Sequence, residues 1–308
     1  MIGAGPARSS DNGRARLPDA DGMATGPDGV RIAYEVFGTG DPPIVFLPSA
    51  PIVHSRQWKG QVPYFSRRHR VVTYDGRGNG RSDRPTEPEA FADDRFVGDL
   101  AAVMDDTRTD RAVLVGLCSD GVWRAIRYAV EQPDRVLGIV AFAVGVPRLT
   151  PPHPHYVTAT AAFEDDAPTH EGWARYNAPF WRHDYPDFAR FFFEEITSEP
   201  HSTKAIDDAV EWSVGGSVDS MIADARVDFP LDREGVEAIC SAVRCPMLIV
   251  HGTEDSCQPI ARARRLSELT GAPLVEVEGA DHMIPGRHPV LANLLIRDFV
   301  RSLARDPS

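Results

Sequence analysis

The sequence predicts an α/β protein, a doubly wound and mostly parallel sheet with an inserted helical cap. Three observations carry this expectation. Short apolar runs recur between segments of helical periodicity, the pattern of strands buried on both faces by crossover helices. That rhythm breaks once, from about 147 to 235, in a stretch that is helical in pattern and crowded with aromatics. The reactive residue types gather in loops that follow the apolar runs, where open α/β sheets hold their sites.

Taken in order, residues 1–28 are rich in Gly, Ala, Pro, Asp and Arg without an apolar period, and are expected to form a disordered tail, with Met23 a candidate start. Within it, Ile2-Gly3-Ala4-Gly5 imitates a dinucleotide-binding turn. Neither the strand nor the helix that such a turn needs is available, so no cofactor is expected. Residues 30–37 read as an edge strand before the Gly38-Thr39-Gly40 turn. Runs at 44–47, 71–74 and 112–115 read as buried parallel strands, with helices at 96–105 and 122–132, the second closed by Pro133. Runs at 136–142, 247–250 and 274–277 continue the series, and 289–304 reads as a final amphipathic helix. The core is thus expected from 29–146 and 236–308, with the cap at 147–235. Most cap aromatics should pack the cap onto the sheet. A minority should line a pocket, with Trp173 and Trp181 the candidates.

The composition excludes several classes. A formal charge of −12 argues against sequence-independent nucleic-acid binding, which needs clustered Lys and Arg. No apolar run approaches the roughly 20 residues of a bilayer span, and the first residues lack the apolar core of a secretory signal. A cytoplasmic location with no membrane partner is expected. Cys118, Cys240, Cys245 and Cys257 form neither a paired metal pattern nor a secreted disulfide framework, so free thiols and no metal are expected.

The strongest local signal is Val113-Leu114-Val115-Gly116-Leu117-Cys118-Ser119-Asp120-Gly121, a buried strand entering a helix through a tight turn. This is a nucleophile elbow with cysteine at the reacting position. Its glycines suit a strained turn and a close helix-sheet approach, and a helix N-terminus favours the thiolate. Two other readings remain: Ser119 as nucleophile, which moves the side chain off the apex, and Cys118 as an inert buried thiol. Asp120 either caps the helix dipole or points at substrate.

A thiol nucleophile needs a base, and the base needs an orienting acid. His251-Gly252-Thr253-Glu254-Asp255 follows one strand and Gly279-Ala280-Asp281-His282 the next, which nominates Asp255 and His282, with Glu254 and Asp281 as substitutes. Oxyanion donors are expected from the backbone N–H of Ser119 and, in the loop Pro48-Ser49-Ala50-Pro51, from Ala50, because proline has no N–H. His54, Arg56 and Trp58 follow on that loop, and His54 is a candidate substrate contact.

From about 30 to 305 the chain resembles α/β-hydrolase-fold proteins of the epoxide-hydrolase and haloperoxidase-like branch. The resemblance rests on Asp75-Gly76-Arg77-Gly78-Asn79-Gly80-Arg81-Ser82, the elbow, His251 to Asp255, and Asp281-His282. The order nucleophile, acid, histidine is that of this fold. Phe191 to Glu195, Glu199 to Lys204 and Arg287-His288-Pro289 are similar to hydrolase-like modules found beside bacterial nucleotide cyclase domains. The chain departs from the pattern at Pro48-Ser49, where His-Gly is usual, at Cys118 in place of serine, and at Asp120 in place of glycine. Cysteine at this apex is similar to dienelactone hydrolases and polyhydroxyalkanoate synthases. The resemblance implies hydrolysis of a small or medium ester, thioester or lactone through a Cys118 thioester. Acyl transfer, or a weakly catalytic ligand-binding module, stands as the alternative. The expected partner is a small-molecule acyl substrate, with a homodimer allowed for.

Overall fold

The computed structural model describes residues 14–49, 51–167, 169–200 and 203–304. Eight strands make one sheet: β1 (Ala20–Thr25), β2 (Arg31–Phe37), β3 (Ile44–Phe46), β4 (Val71–Tyr74), β5 (Ala112–Leu117), β6 (Val136–Phe142), β7 (Met247–Gly252) and β8 (Leu274–Val277). Their spatial order is β1-β2-β4-β3-β5-β6-β7-β8. The β1/β2 and β2/β4 pairs are antiparallel and the remaining pairs are parallel. The chain leaves β3 toward β4 on one side and returns to β5 on the other, so the crevice at the carboxyl ends of β3 and β5 is the topological switch point.

Alternation along the central strands feeds two cores. Val45, Leu114, Ile139 and Ile249 face one layer, with Leu100 and Val103 of the Asp93–Asp106 helix and Ile126 of the Cys118–Glu131 helix. Ile44, Phe46, Val113, Val115, Val140 and Val250 face the other, with Trp58, Phe65 and, from the Pro289–Leu303 helix, Ile296 and Val300. Both faces being covered is why these runs read as continuously apolar.

Three expectations are corrected here. The stretch expected to be a disordered tail contains β1, which pairs with β2 from Ala20↔Val36 to Thr25↔Arg31, with Met23 opposite Ala33. Only Ala24 of β1 is buried, so backbone pairing builds this strand and no apolar period marks it. Consequently the run at 30–37 is not an edge strand, since β2 lies between β1 and β4. The helix expected from 122 begins at Cys118, because Asp120 and Gly121 sit inside its first turns.

Between β6 and β7 the chain is helical, with helices Pro154–Ala161, Ala178–Glu195, Lys204–Val214, Val218–Ala225 and Arg233–Ser241. The Ala178–Glu195 helix kinks at Asp184, two residues before Pro186, whose ring and missing N–H break the hydrogen-bond ladder. The first three of these helices supply aromatics, and the fourth Met221 and Ile222, to clusters separate from the sheet cores. Among the described residues no helix is long and apolar enough to cross a membrane.

Candidate active site

Strand β5 runs straight into the Cys118–Glu131 helix, and Cys118 takes up the turn with a φ of 61°. A left-handed backbone at a non-glycine residue is strained and is held here by close packing. A Cβ on Gly116 would lie 2.4 Å from the carbonyl of Gly121, so the pair of glycines lets the helix turn back onto its own strand. The strained apex is Cys118, and Ser119 already lies within the helix. Its Oγ is 3.6 Å from the Cys118 sulfur.

The loops after β7 and β8 are locked together by Thr253 N–H to the Val277 carbonyl and Glu254 N–H to the Ala280 carbonyl. Gly252 permits the approach, since a Cβ there would stand 2.2 Å from the Ala280 oxygen. Their closeness places Asp255 against His282, whose Nδ1 lies 2.9 Å from Oδ2 and 3.1 Å from Oδ1. Asp255 Oδ1 also accepts the backbone N–H groups of Cys257 and Gln258, each at 2.8 Å. Asp281 is turned elsewhere: it accepts from the Met283 N–H and exchanges hydrogen bonds with Glu199. The carboxylate facing the histidine is therefore Asp255.

His251 was quoted only as part of the loop motif, yet it is fully buried beneath the acid. Its Nδ1 accepts the Val144 N–H, which leaves the Nε2 proton to the Gln258 carbonyl at 3.0 Å and to Asp255 Oδ2 at 3.3 Å. Burial pushes its pKa down, so the ring is neutral and acts as a donor that positions Asp255.

With Nδ1 of His282 turned to Asp255, Nε2 is the nitrogen left to face the thiols. Cys118 Sγ, Cys257 Sγ and the ring nitrogen of His282 lie within 4.8 Å of one another. A hydrogen bond from the Cys257 thiol, and then the charge of His282, hold the Cys118 thiol well below its ordinary pKa despite burial. Burial opposes charge on His282, but Asp255 and the sulfurs prevail and raise its pKa well above the usual value. The same interaction drives Cys257 up, as the partner that keeps its proton. Both shifts favour a thiolate beside an imidazolium, with the second thiol donating. Cys257 is a residue of this candidate site that sequence reasoning missed. Among the described residues these three side chains are the group that could hold a metal ion.

Above them opens a cavity of about 340 Å³ lined by Cys118, Ser119, Cys257, Gln258 and His282 below and by Tyr156, Tyr176, Trp181, Phe188 and Phe192 from the helical insertion. Trp181 is on this wall. Trp173 is not: it stacks on His155 at 4.2 Å and lines a separate hollow with Ala162 and Asn177. His54 is also displaced from the cavity, because its Nδ1 accepts the Arg56 N–H as the cap of a short 3₁₀ turn and its ring faces Trp212. Of the three expected substrate contacts, Trp181 alone lines this cavity. Ala50 lies outside the described residues, while Ser49 lines the cavity and donates to Gln57. Asp120 points into the same space, ion-paired to Arg124 at 2.8 Å and close to Asp224. Burial, against the pull of Arg124, raises Asp120 to about 6. Burial and then Asp120 raise Asp224 to about 8.

Residues 42–289 match the family described as alpha/beta hydrolase fold. A bifunctional esterase/perhydrolase of Acinetobacter calcoaceticus is 25% identical over 292 residues, covering 91% of this chain and 100% of that protein. A non-heme chloroperoxidase of Streptomyces lividans is 28% identical over 302 residues, with coverage of 91% and 100%. Among solved structures, an esterase from Rhodococcus sp. superposes with a TM-score of 0.76 at 20% identity, covering 92% of this chain and 99% of its own.

Proposed function

The chain belongs to the alpha/beta hydrolase fold family, and from that premise we propose a hydrolase of small or medium esters, thioesters or lactones that works through Cys118. The family and its esterase relatives support the hydrolase class. The observation that carries the finer reading is the placing of Cys118 at the strained apex within reach of the Asp255–His282 pair.

In this reading the Cys118 thiolate attacks the acyl carbon and a C–S bond forms as the carbonyl oxygen takes the negative charge. The N–H of Ser119, in a first helical turn whose donors have no intrahelical acceptor, stabilises that oxyanion. Collapse breaks the acyl C–O or C–S bond, and the His282 imidazolium gives its Nε2 proton to the leaving alcohol or thiol. A water then enters, loses a proton to His282 and attacks the thioester; the carboxylic acid leaves and the Cys118 thiolate returns. Asp255 keeps the Nδ1 proton in place throughout and stabilises the imidazolium. The aromatic wall suits an apolar acyl or aryl group, and the Asp120/Asp224 pair at its end disfavours an anionic one.

Hydrolysis takes precedence over transfer because no dock for a coenzyme or carrier is recognisable among the described residues. The test is labelling with a thiol-reactive acyl analogue followed by peptide mapping. Modification at Cys118 together with release of acid product is expected. Turnover that proceeds with Cys118 unlabelled would remove it from the chemistry.

A further inference from the structure

One-thiol acyl chemistry forms no bond to Cys257, although that sulfur lies beside Cys118 and His282. We propose that Cys118, Cys257 and His282 form a Zn²⁺ site at the floor of the cavity, which caps the nucleophile and reversibly switches the enzyme off.

The donor set comes first. Two sulfurs and one imidazole nitrogen lie within 4.8 Å of one another, and none of the three is tied into a disulfide. Tetrahedral zinc, with Zn–S about 2.3 Å and Zn–N about 2.0 Å, holds its ligand atoms roughly 3.5–3.8 Å apart, so the cluster needs to contract by about an ångström or less. Thiolate and imidazole select zinc over magnesium or calcium, which take oxygen ligands.

The surroundings match what a metal site requires beyond its ligands. His282 gives Nδ1 to Asp255 at 2.9 Å, which fixes the ring and leaves Nε2 as the coordinating atom. Gln258 Nε2 stands 3.6 Å from both sulfurs and can donate to either as a thiolate. The Tyr156 hydroxyl is 3.5 Å from Cys257. Cys257 itself is held by its backbone N–H on Asp255, so a single carboxylate orients both the histidine and the loop carrying the second sulfur. All three ligands line the same cavity, and a fourth position opens into it for water or substrate, the arrangement of a three-ligand zinc site. Cys240 and Cys245 offer nothing comparable, since Cys240 is buried in the core beneath the sheet and Cys245 packs against that core.

Binding displaces the Cys257 thiol proton and the His282 Nε2 proton and ties up the Cys118 thiolate and His282 Nε2, the two groups that acyl chemistry uses. The inhibitory consequence rests on the Cys118 reading above, whereas the site itself does not.

The test uses the full chain, reduced with a phosphine and stripped by a chelator, then titrated with Co²⁺ as the spectroscopic probe and displaced by Zn²⁺. One equivalent should produce intense sulfur-to-cobalt charge transfer with tetrahedral d–d bands, and Zn²⁺ should abolish both. Cys257→Ser and Cys257→Ala should each weaken binding by at least about a hundredfold, because one of three ligands is lost, while Cys240→Ser binds as the wild type does. In parallel, Zn²⁺ should suppress ester turnover and chelator should restore it. No thiolate-to-cobalt band, or wild-type binding by both folded Cys257 variants, overturns the site. Cobalt binding that needs Cys257 in a protein whose turnover does not need Cys118 leaves the site standing and sinks the hydrolase reading. Turnover that needs Cys118 without any cobalt binding does the reverse.

Discussion

The loops at the carboxyl ends of β5, β7 and β8 and the helical insertion above them meet at one cavity, but they are specified in different ways. In the loops the backbone does the specifying: a positive φ at Cys118, a glycine pair at 116 and 121, and a Gly252 that admits the Ala280 carbonyl. Few residue types fit such positions. In the insertion, aromatics pack on aromatics, and Trp181, Phe188, Tyr176 and Tyr185 contact each other at centroid distances between 4.6 and 6.2 Å. Many residues would fill that space. The contrast teaches that chemistry sits where substitution is intolerable, and selectivity where it is merely costly.

The comparison is tested hardest at the apex. Cys118→Ala should lower kcat/KM by at least about a thousandfold, as loss of a nucleophile does, with a melting temperature near that of the wild type because little volume is lost. Retention of a tenth of the activity would take the chemistry away from the elbow.

Next in size is Gly252→Ala. Its new methyl carbon would meet the Ala280 and Asp281 carbonyl oxygens at 2.2 and 2.5 Å, so the two loops must part. We expect about 2–3 kcal/mol of destabilisation and a loss of turnover of about a hundredfold, since displacing His282 from Cys118 by an ångström misaligns proton transfer. Wild-type kcat in this variant would show that the loop approach does not set the geometry.

How much of this was legible in the sequence follows the same division. Strands β4 and β6 read with their observed ends because both faces are covered, β8 did so although it is a half-buried edge strand, and Cys118, Asp255 and His282 could be nominated because glycines and strand ends frame them. Strand β1 could not be read, since one buried residue makes no period. Cys257 had no signal either: a cysteine just past an acid looks like any core thiol, and only the fold turns it toward Cys118. That His54 and Trp173 lie off the cavity could not be read, because proximity in sequence says nothing about which side of a loop or helix a ring faces.

On the insertion, Trp181→Leu and Trp173→Leu separate lining from packing. Trp181 reaches the cavity, so its replacement should change the ratio of kcat/KM for bulky over short esters by about tenfold and cost about 2 kcal/mol. Trp173, stacked on His155 and edge-on to Phe191, should alter stability while leaving that ratio within about twofold. Equal shifts in selectivity from both would mean that the insertion acts as one packed unit.

The last expected effect is read in pH dependence and concerns the two carboxyl groups where the elbow helix meets the insertion. Asp120, with Arg124 at 2.8 Å, titrates at about 6, and Asp224 on the Val218–Ala225 helix at about 8, both raised chiefly by burial. Asp93 also faces Asp120 and adds to the rise. A carboxyl group whose folded pKa lies above its unfolded value keeps its proton in the native state after the unfolded chain has released it. Stability from such groups is therefore greatest at low pH and falls as pH climbs through the window, here from about 4 to about 8, by up to about 1.4 kcal/mol per pH unit for each proton held. Other groups titrate in the same range: His251, pushed down by burial, works in the opposite sense, and His282, pushed up by Asp255 and the sulfurs, works in the same one. The informative quantity is consequently the difference between wild type and Asp224→Asn, followed by chemical denaturation across that window. The variant should be the more stable protein near pH 8 and should show the flatter profile, because an amide makes no charge there. Parallel profiles would mean that Asp224 ionises as freely in the folded protein as in the unfolded chain, and that the junction of elbow and insertion is open to water.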